Sequence, residues 1–251
     1  MVGTAADPVA PNARERVLRA AAELLAAHGR DALSTRAVSA AAGMQQPALY
    51  RLFGDKDGLL DALAAYAFEE YLRDKHAVGT TDDPVDDLRR GWDVHVEFGL
   101  THPALYVLMY GEARFRAGSP AGQEAANLLR GLISRVARTG RLRMSVERAA
   151  RLVGATGVGL VLTLIATPPA ERDMEIVTIA RESTLRTILT DAPAPASGDD
   201  SLTSRAVALR ETLGDSVPAL SAAERALLTE WLDRIAATQR GRVTPAPRSG
   251  P

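Results

Sequence analysis

Gln45, Gln46, Ala48, Tyr50 and Arg51 share one face of the segment that follows Gly43, and together they offer two amides, a methyl, a phenol and a guanidinium. In the major groove of DNA, glutamine pairs bidentately with adenine and arginine with guanine, while a methyl can meet the thymine methyl. Each good bidentate pair gives about 1–3 kcal/mol of discrimination. The face is defined by what lies opposite. Counting from Gly43, Val38 lies five residues before, and Met44, Leu49 and Leu52 lie one, six and nine residues after, so all four can face one core. Two short helices at a steep crossing need small residues and a glycine capable of positive φ where they meet, and Ala40, Ala41, Ala42 and Gly43 supply them. The segment Thr35 to Phe53 thus has the spacing of a helix-turn-helix, with Pro47 tolerated in the first turn of its second helix.

Other chemistry-bearing residues are scattered. The Asp82-Asp83-x-x-Asp86-Asp87 group could hold a divalent cation, but acidic residues at a helix start also answer the helix dipole, and that is the reading we favour. His95 and His102, seven apart, could share a metal only on one continuous helix, which Pro103 interrupts, so separate roles are expected. No Ser/His/Asp set declares itself. Gly154-x-x-Gly157-x-Gly159 lacks a preceding strand and a following Lys-Ser/Thr, so it suits close approach of an apolar helix rather than a nucleotide. Trp92, His95, Phe98, Tyr106, Met109, Tyr110 and Phe115 gather much of the aromatic content into two adjacent helices. They read as core, or as the lining of an apolar cavity with a few polar handles, the form small-molecule sites take.

The elements that position these residues are helical. Alanine and leucine dominate, aromatics make up 4%, and no sustained period-2 pattern occurs, so the fold class is all-α. Asn12-Ala-Arg-Glu15 opens a helix over about 13–28, stopped by Gly29; Ser34 caps a second, Pro47 opens a third through Phe53, and Asp55 caps a fourth to about Lys75. Further helices are expected at about 84–100, 103–116, 120–139, 145–166 and 171–190, then from Leu202 to Leu213 and from the Ser221-x-x-Glu224 capping box onward. Domain boundaries follow: a disordered arm at 1–11, a helix-turn-helix domain at 12–56, a larger helical domain at 57–192, a linker at 193–201, a helical extension at 202–238 and a disordered tail at 239–251.

Charge supports the first boundary. Residues 12–56 carry seven basic and four acidic side chains, a net of +3, whereas 57–87 carry two and nine, a net of -7. The whole chain of 251 residues has a formal net charge of -1, so any pull towards phosphates is local to the head. The absence of cysteine excludes thiolate catalysis, thiolate metal sites and disulfides. Met1 to Pro11 shows neither a positive start nor an apolar run, and three glycines break Val153 to Ala166, so neither a signal peptide nor a membrane span is expected.

Residues 13–63 resemble the TetR family of helix-turn-helix transcriptional regulators. The resemblance lies in Arg16-Val-Leu-Arg-Ala-Ala-Ala-Glu-Leu-Leu25, Gly29, Leu33-Ser-Thr-Arg36, Ala42-Gly43, Pro47-Ala-Leu-Tyr50, Phe53 and Asp55-Lys-Asp-x-Leu-Leu60. It implies that Thr35, Tyr50 and Lys56 hold phosphates and that Arg36, Gln45, Gln46 and Ala48 reach base edges, with Pro47 inside the inserted segment and Arg51 suited to either task. Phe53 is assigned to the core. The departures are Leu25 where phenylalanine is common, Gln45 where serine or threonine often caps the recognition helix, and Gly58 in the first turn of helix four.

The resemblance further implies a second domain that binds a small-molecule effector and forms a homodimer. Trp92, His95, Phe98, Tyr106, Met109, Tyr110 and Phe115, with Met144 and Thr156, are the expected lining, and the helices over about 145–190 the expected dimer surface. The function so implied is a cytoplasmic, ligand-responsive repressor of a double-stranded DNA operator, with no metal or cofactor and no catalytic residue. A helical enzyme using the second-domain pocket and a helical protein-binding adaptor are the rival classes.

Overall fold

The computed structural model describes residues 12–111, 120–190, 199–213, 217 and 220–237. The expected arm, the expected tail and Phe115 lie outside them. Among the described residues are eleven α-helices: α1 (Ala13–His28), α2 (Thr35–Ala41), α3 (Gln46–Phe53), α4 (Lys56–Ala77), α5 (Pro84–Thr101), α6 (Pro103–Gly111), α7 (Pro120–Arg138), α8 (Val146–Ala166), α9 (Glu175–Ile188), α10 (Asp199–Leu213) and α11 (Ala222–Ala237). The fold class is all-α, as expected; the one piece of β pairing among these residues is an isolated bridge between Leu142 and Leu189.

The caps explain the boundaries. The Asn12 side chain accepts from the Glu15 N–H, Ser34 from Ala37 and Asp55 from Gly58, each satisfying a backbone donor that a helix start leaves unpaired. Ser221 and Glu224 complete a reciprocal capping box before α11, each accepting from the other's N–H. Gly29 and Gly43 sit at φ 73° and 61°, where a glycine is needed to end α1 and to turn between α2 and α3. Three boundaries differ from expectation: α10 starts at Asp199, inside the linker expected at 193–201, rather than at Leu202, and both ends of α9 are shifted. The Asp173 carboxylate accepts from the Glu175 N–H, so α9 starts at Glu175 after a 3-10 turn rather than at 171. It ends at Ile188 because the next residues pair as extended chain, Arg143 N–H donating to Ile188 and Thr190 N–H to Arg141.

The chain divides into two compact units. One takes residues 1–79, 94–125 and 161–168, the other 80–93, 126–160 and 169–251. In the first, α1 packs against α2, α4 and α6, and α4 also against α3 and α6. Val17, Ala21, Val38, Leu49 and Leu63 are fully buried there. Two of the four residues expected in the helix-turn-helix core are corrected: Met44 is half-buried and Leu52 is 39% exposed. The physical reason is helical phase. Leu49 and Phe53, one turn apart, take the inward side of α3, which leaves Leu52 on its flank.

The second unit has its own core, in which Ile133, Val136, Leu142, Val146, Ile188 and Val207 meet. Asp87, with its side chain fully buried, ties the loop before α5 to two helices. It accepts from the Thr81 N–H and hydroxyl, both at 2.9 Å, and pairs with Arg90 and Arg135. Burial alone would raise its pKa, but those hydrogen bonds outweigh it and hold the carboxyl at about 2. Asp83 is also occupied locally, capping the Val85 and Asp86 N–H groups. The acidic group is thus built into the start of α5, in line with the helix-dipole reading. Farther along, Arg210 on α10 bridges Asp233 on α11 at 2.6 Å and Glu147 on α8 at 3.8 Å.

Candidate nucleic-acid interface and aromatic cluster

The residues expected to contact DNA lie on α2, α3 and the start of α4. Leu49, with no exposed surface, and Phe53, at 8%, fix α3 from within, and Arg14 lies over the Phe53 ring at 5.5 Å. Gln45, Gln46, Pro47, Tyr50 and Arg51 are consequently exposed, with Ala48 half-buried between them. Gln45 is the N-cap of α3, but its side chain makes no cap hydrogen bond, so the substitution of an amide for the usual hydroxyl leaves that amide to other partners. Tyr50 is 47% exposed, an unusual setting for an apolar ring, and its hydroxyl lies 3.4 Å from the Thr35 hydroxyl at the start of α2. Arg36 stands exposed beside Thr35, and Lys56 opens α4. The structure therefore brings Thr35 and Tyr50 together and leaves Arg36, Gln45, Gln46, Arg51 and Lys56 presented to solvent.

Gly58 determines how α3 meets α4. A Cβ placed on it would lie 2.0 Å from the Phe53 carbonyl oxygen, so only glycine lets the end of α3 come this close to the first turn of α4.

Of the expected effector residues, His95, Phe98, Tyr106, Met109 and Tyr110 fall in the first unit. His95 is the hub: its Nδ1 lies 3.0 Å from the Tyr71 hydroxyl and its Nε2 lies 2.8 Å from the Tyr106 hydroxyl. The rings pack at 5.7 Å for Tyr71 on His95, 5.4 Å for His95 on Tyr106 and 4.7 Å for Tyr106 on Tyr110. Tyr71 and Tyr106 are deeply buried, and burial pushes both phenols well above the ordinary tyrosine pKa. Gly99 makes room for this, since a Cβ there would meet Val161 at 2.2 Å and the Tyr106 ring at 3.0 Å. Tyr71 and Phe68, both on α4, were not among the sequence-derived candidates; their spacing continues the inward stripe of Leu60, Leu63 and Ala67, and that periodicity was the available signal. Trp92, Met144 and Thr156 fall in the second unit. Trp92 is buried with its indole N–H unpaired, Met144 packs at the margin of the core, and the Thr156 hydroxyl donates to Leu152 of its own helix.

These features define a class: a helix-turn-helix head joined to a larger all-helical body. Residues 17–63 match the model of the bacterial regulatory proteins, tetR family. The tetracycline repressor protein class C of Escherichia coli is 45% identical over 73 residues, 29% of this chain and 32% of that protein. The class A tetracycline repressor from transposon 1721 is 46% identical over 67 residues, 27% of this chain and 30% of that protein. The chain thus matches about a third of the length of these curated relatives. Among solved structures, a protein of unknown function from Rhodococcus sp. RHA1 superposes with a TM-score of 0.63 at 23% identity, covering 72% of this chain and 98% of that one. A TetR-family transcriptional regulator from Haemophilus influenzae Rd gives 0.54 at 18% identity, covering 71% and 97%. Residues 17–63 are a TetR-family helix-turn-helix domain, and the chain has the fold of TetR-family regulators.

Proposed function

We propose that the protein is a cytoplasmic, homodimeric, sequence-specific DNA-binding transcriptional regulator, a repressor released from its operator by a small molecule. The observation that carries the reading is the head itself. A TetR-family helix-turn-helix presents two exposed amides, a guanidinium and a half-exposed tyrosine along α3, with Thr35 and Lys56 flanking them. Gln45, Gln46, Arg36 and Ala48 read base edges, Thr35, Tyr50 and Lys56 hold phosphates, and Pro47 and Arg51 lie within the segment that enters the groove. The E. coli relatives matched at the head are repressors by name.

Dimerisation is supported by α8. Over an 18-residue window of this 21-residue helix mean hydropathy reaches 1.8, yet only 28% of that window is buried, the composition and length of a helix that could cross a membrane. Ala155, Gly159, Thr163 and Ala166 form an exposed small-residue stripe along it, and Ile176 and Ile179 of α9 are also exposed. A second copy of the chain covering these faces accounts for them without a bilayer. The effector is held at His95, Phe98, Tyr106, Met109 and Tyr110, and it acts by preferring one of two states of the chain.

Selection of fragments from a random DNA pool at about 0.15 M salt, where non-specific affinity is weak, tests the reading. An enriched inverted repeat is expected, because a two-fold dimer reads two half-sites. Enrichment of no sequence by folded protein would overturn it.

A further inference from the structure

The basic side chains of the head fall into two groups. Arg19 pairs with Glu15 at 3.2 Å on its own helix, and Arg16 and Arg30 also have partners within the protein. Arg14, Arg36, Arg51 and Lys56 form no ion pair with a carboxylate among the described residues. Three of those already belong to the proposed DNA contacts. Arg14 is the other, and it stands on α1 rather than on the helix-turn-helix. Its position is also unfavourable for its own helix. Arg14 lies in the first turn of α1, where the positive end of the macrodipole disfavours a cation. Arg36 in the first turn of α2 and Lys56 in the first turn of α4 break the same preference. Residues that break a local rule with no compensating charge in the fold point to a partner outside it.

We propose that Arg14 is a further phosphate-holding residue, through which α1 joins the surface that grips the DNA backbone. The inference rests on the DNA-binding reading above and adds to it a residue and a helix. Phe53 supplies the geometry. The Arg14 guanidinium lies over the Phe53 ring, 5.5 Å from its centroid, and the Phe53 carbonyl oxygen is where the first turn of α4 makes its close approach at Gly58. Arg14 and the turn that carries Lys56 are thus gathered about the one residue that ends α3. A guanidinium carried over an aromatic face keeps its in-plane N–H donors free for a phosphate. Two cations on neighbouring helix starts can then hold phosphates of one strand. Such a contact carries no sequence information: it adds to affinity for any duplex and to the counterions released on binding.

The test uses the full-length protein and a fluorescent duplex of random sequence, so it does not depend on knowing the operator. Anisotropy across a low-salt series reads the slope of log affinity against log salt. Arg14→Leu keeps an apolar cover on Phe53 but removes the charge. It should weaken binding several-fold and lower the slope as much as Lys56→Ala does, with the melting temperature nearly unchanged. Arg14→Gln makes the same comparison should the leucine variant fold poorly. Arg14→Lys keeps the charge and should retain the slope. Arg19→Leu removes one charge from a paired site on the same helix and should leave the slope almost unaltered. A full slope in Arg14→Leu would overturn the proposal. So would an equal loss in Arg14→Lys, which reduces Arg14 to packing, or an equal loss in Arg19→Leu, which reduces it to bulk charge. If Arg14→Leu keeps the slope while Lys56→Ala loses it, the DNA-binding reading stands without Arg14. If the unaltered protein shows no salt-dependent binding, that reading falls and the role of Arg14 falls with it.

Discussion

At the scale of single residues, the proposed reading separates contacts that hold DNA from contacts that choose a sequence. Lys56 meets a phosphate in the proposed complex, so Lys56→Ala should weaken binding to all sequences and reduce the slope of affinity against salt by about one unit, measured by fluorescence anisotropy across a salt series. Gln46→Ala should instead relax preference at one base step, at a cost of about 1–3 kcal/mol, read by competition between operator variants. Elsewhere, Asp87 is a carboxylate whose worth depends on pH. Its folded pKa of about 2 lies below the ordinary 3.8, so its stabilisation is fully present above pH 4, fades as pH falls towards 2 and is gone below that. A shift of that size corresponds to about 2–3 kcal/mol. Asp87→Asn should cost about 3–5 kcal/mol at neutral pH by leaving the Arg135 and Arg90 guanidinium groups without their shared carboxylate, and acid denaturation should flatten between pH 4 and 2 in the variant.

At the scale of elements, the sequence was legible where a side chain meets its own backbone. Asn12, Ser34, Asp55 and the Ser221/Glu224 box mark helix starts, because each satisfies a donor within three residues. What was not legible depends on contacts distant in sequence: the phase of α3 that turns Leu52 outward, the pairing of 141–143 with 188–190 that ends α9, and Tyr71, whose meaning comes from His95, 24 residues on. Gly58 is the most telling case, a departure from the family pattern that becomes intelligible only beside the Phe53 carbonyl. An exposed helix glycine replaced by alanine gains about 1 kcal/mol of helix propensity. Here a 2.0 Å approach to backbone oxygen must outweigh that gain, so Gly58→Ala should lower both the melting temperature and operator affinity. A variant that becomes more stable by calorimetry would show that the α3-α4 junction yields.

At the scale of the whole molecule, α8 is apolar and poorly buried, and the proposed dimer would cover it. Ala155→Arg places a charge at the start of its exposed stripe, and sedimentation should show a shift from dimer to monomer with the helical circular dichroism retained. Operator affinity should then fall by more than tenfold, because two half-sites bound by separate monomers lose the effective concentration that linkage provides. The sign pattern of the chain has a kinetic consequence. A protein with net charge -1 is not drawn to DNA by bulk attraction, yet its +3 head is followed at once by a segment carrying -7. Against a surface of phosphates, encounters led by the basic head are pulled in, so diffusion is biased towards productive orientation before any contact forms. Raising salt would erase that aim, and association would then slow towards the rate of an unguided search.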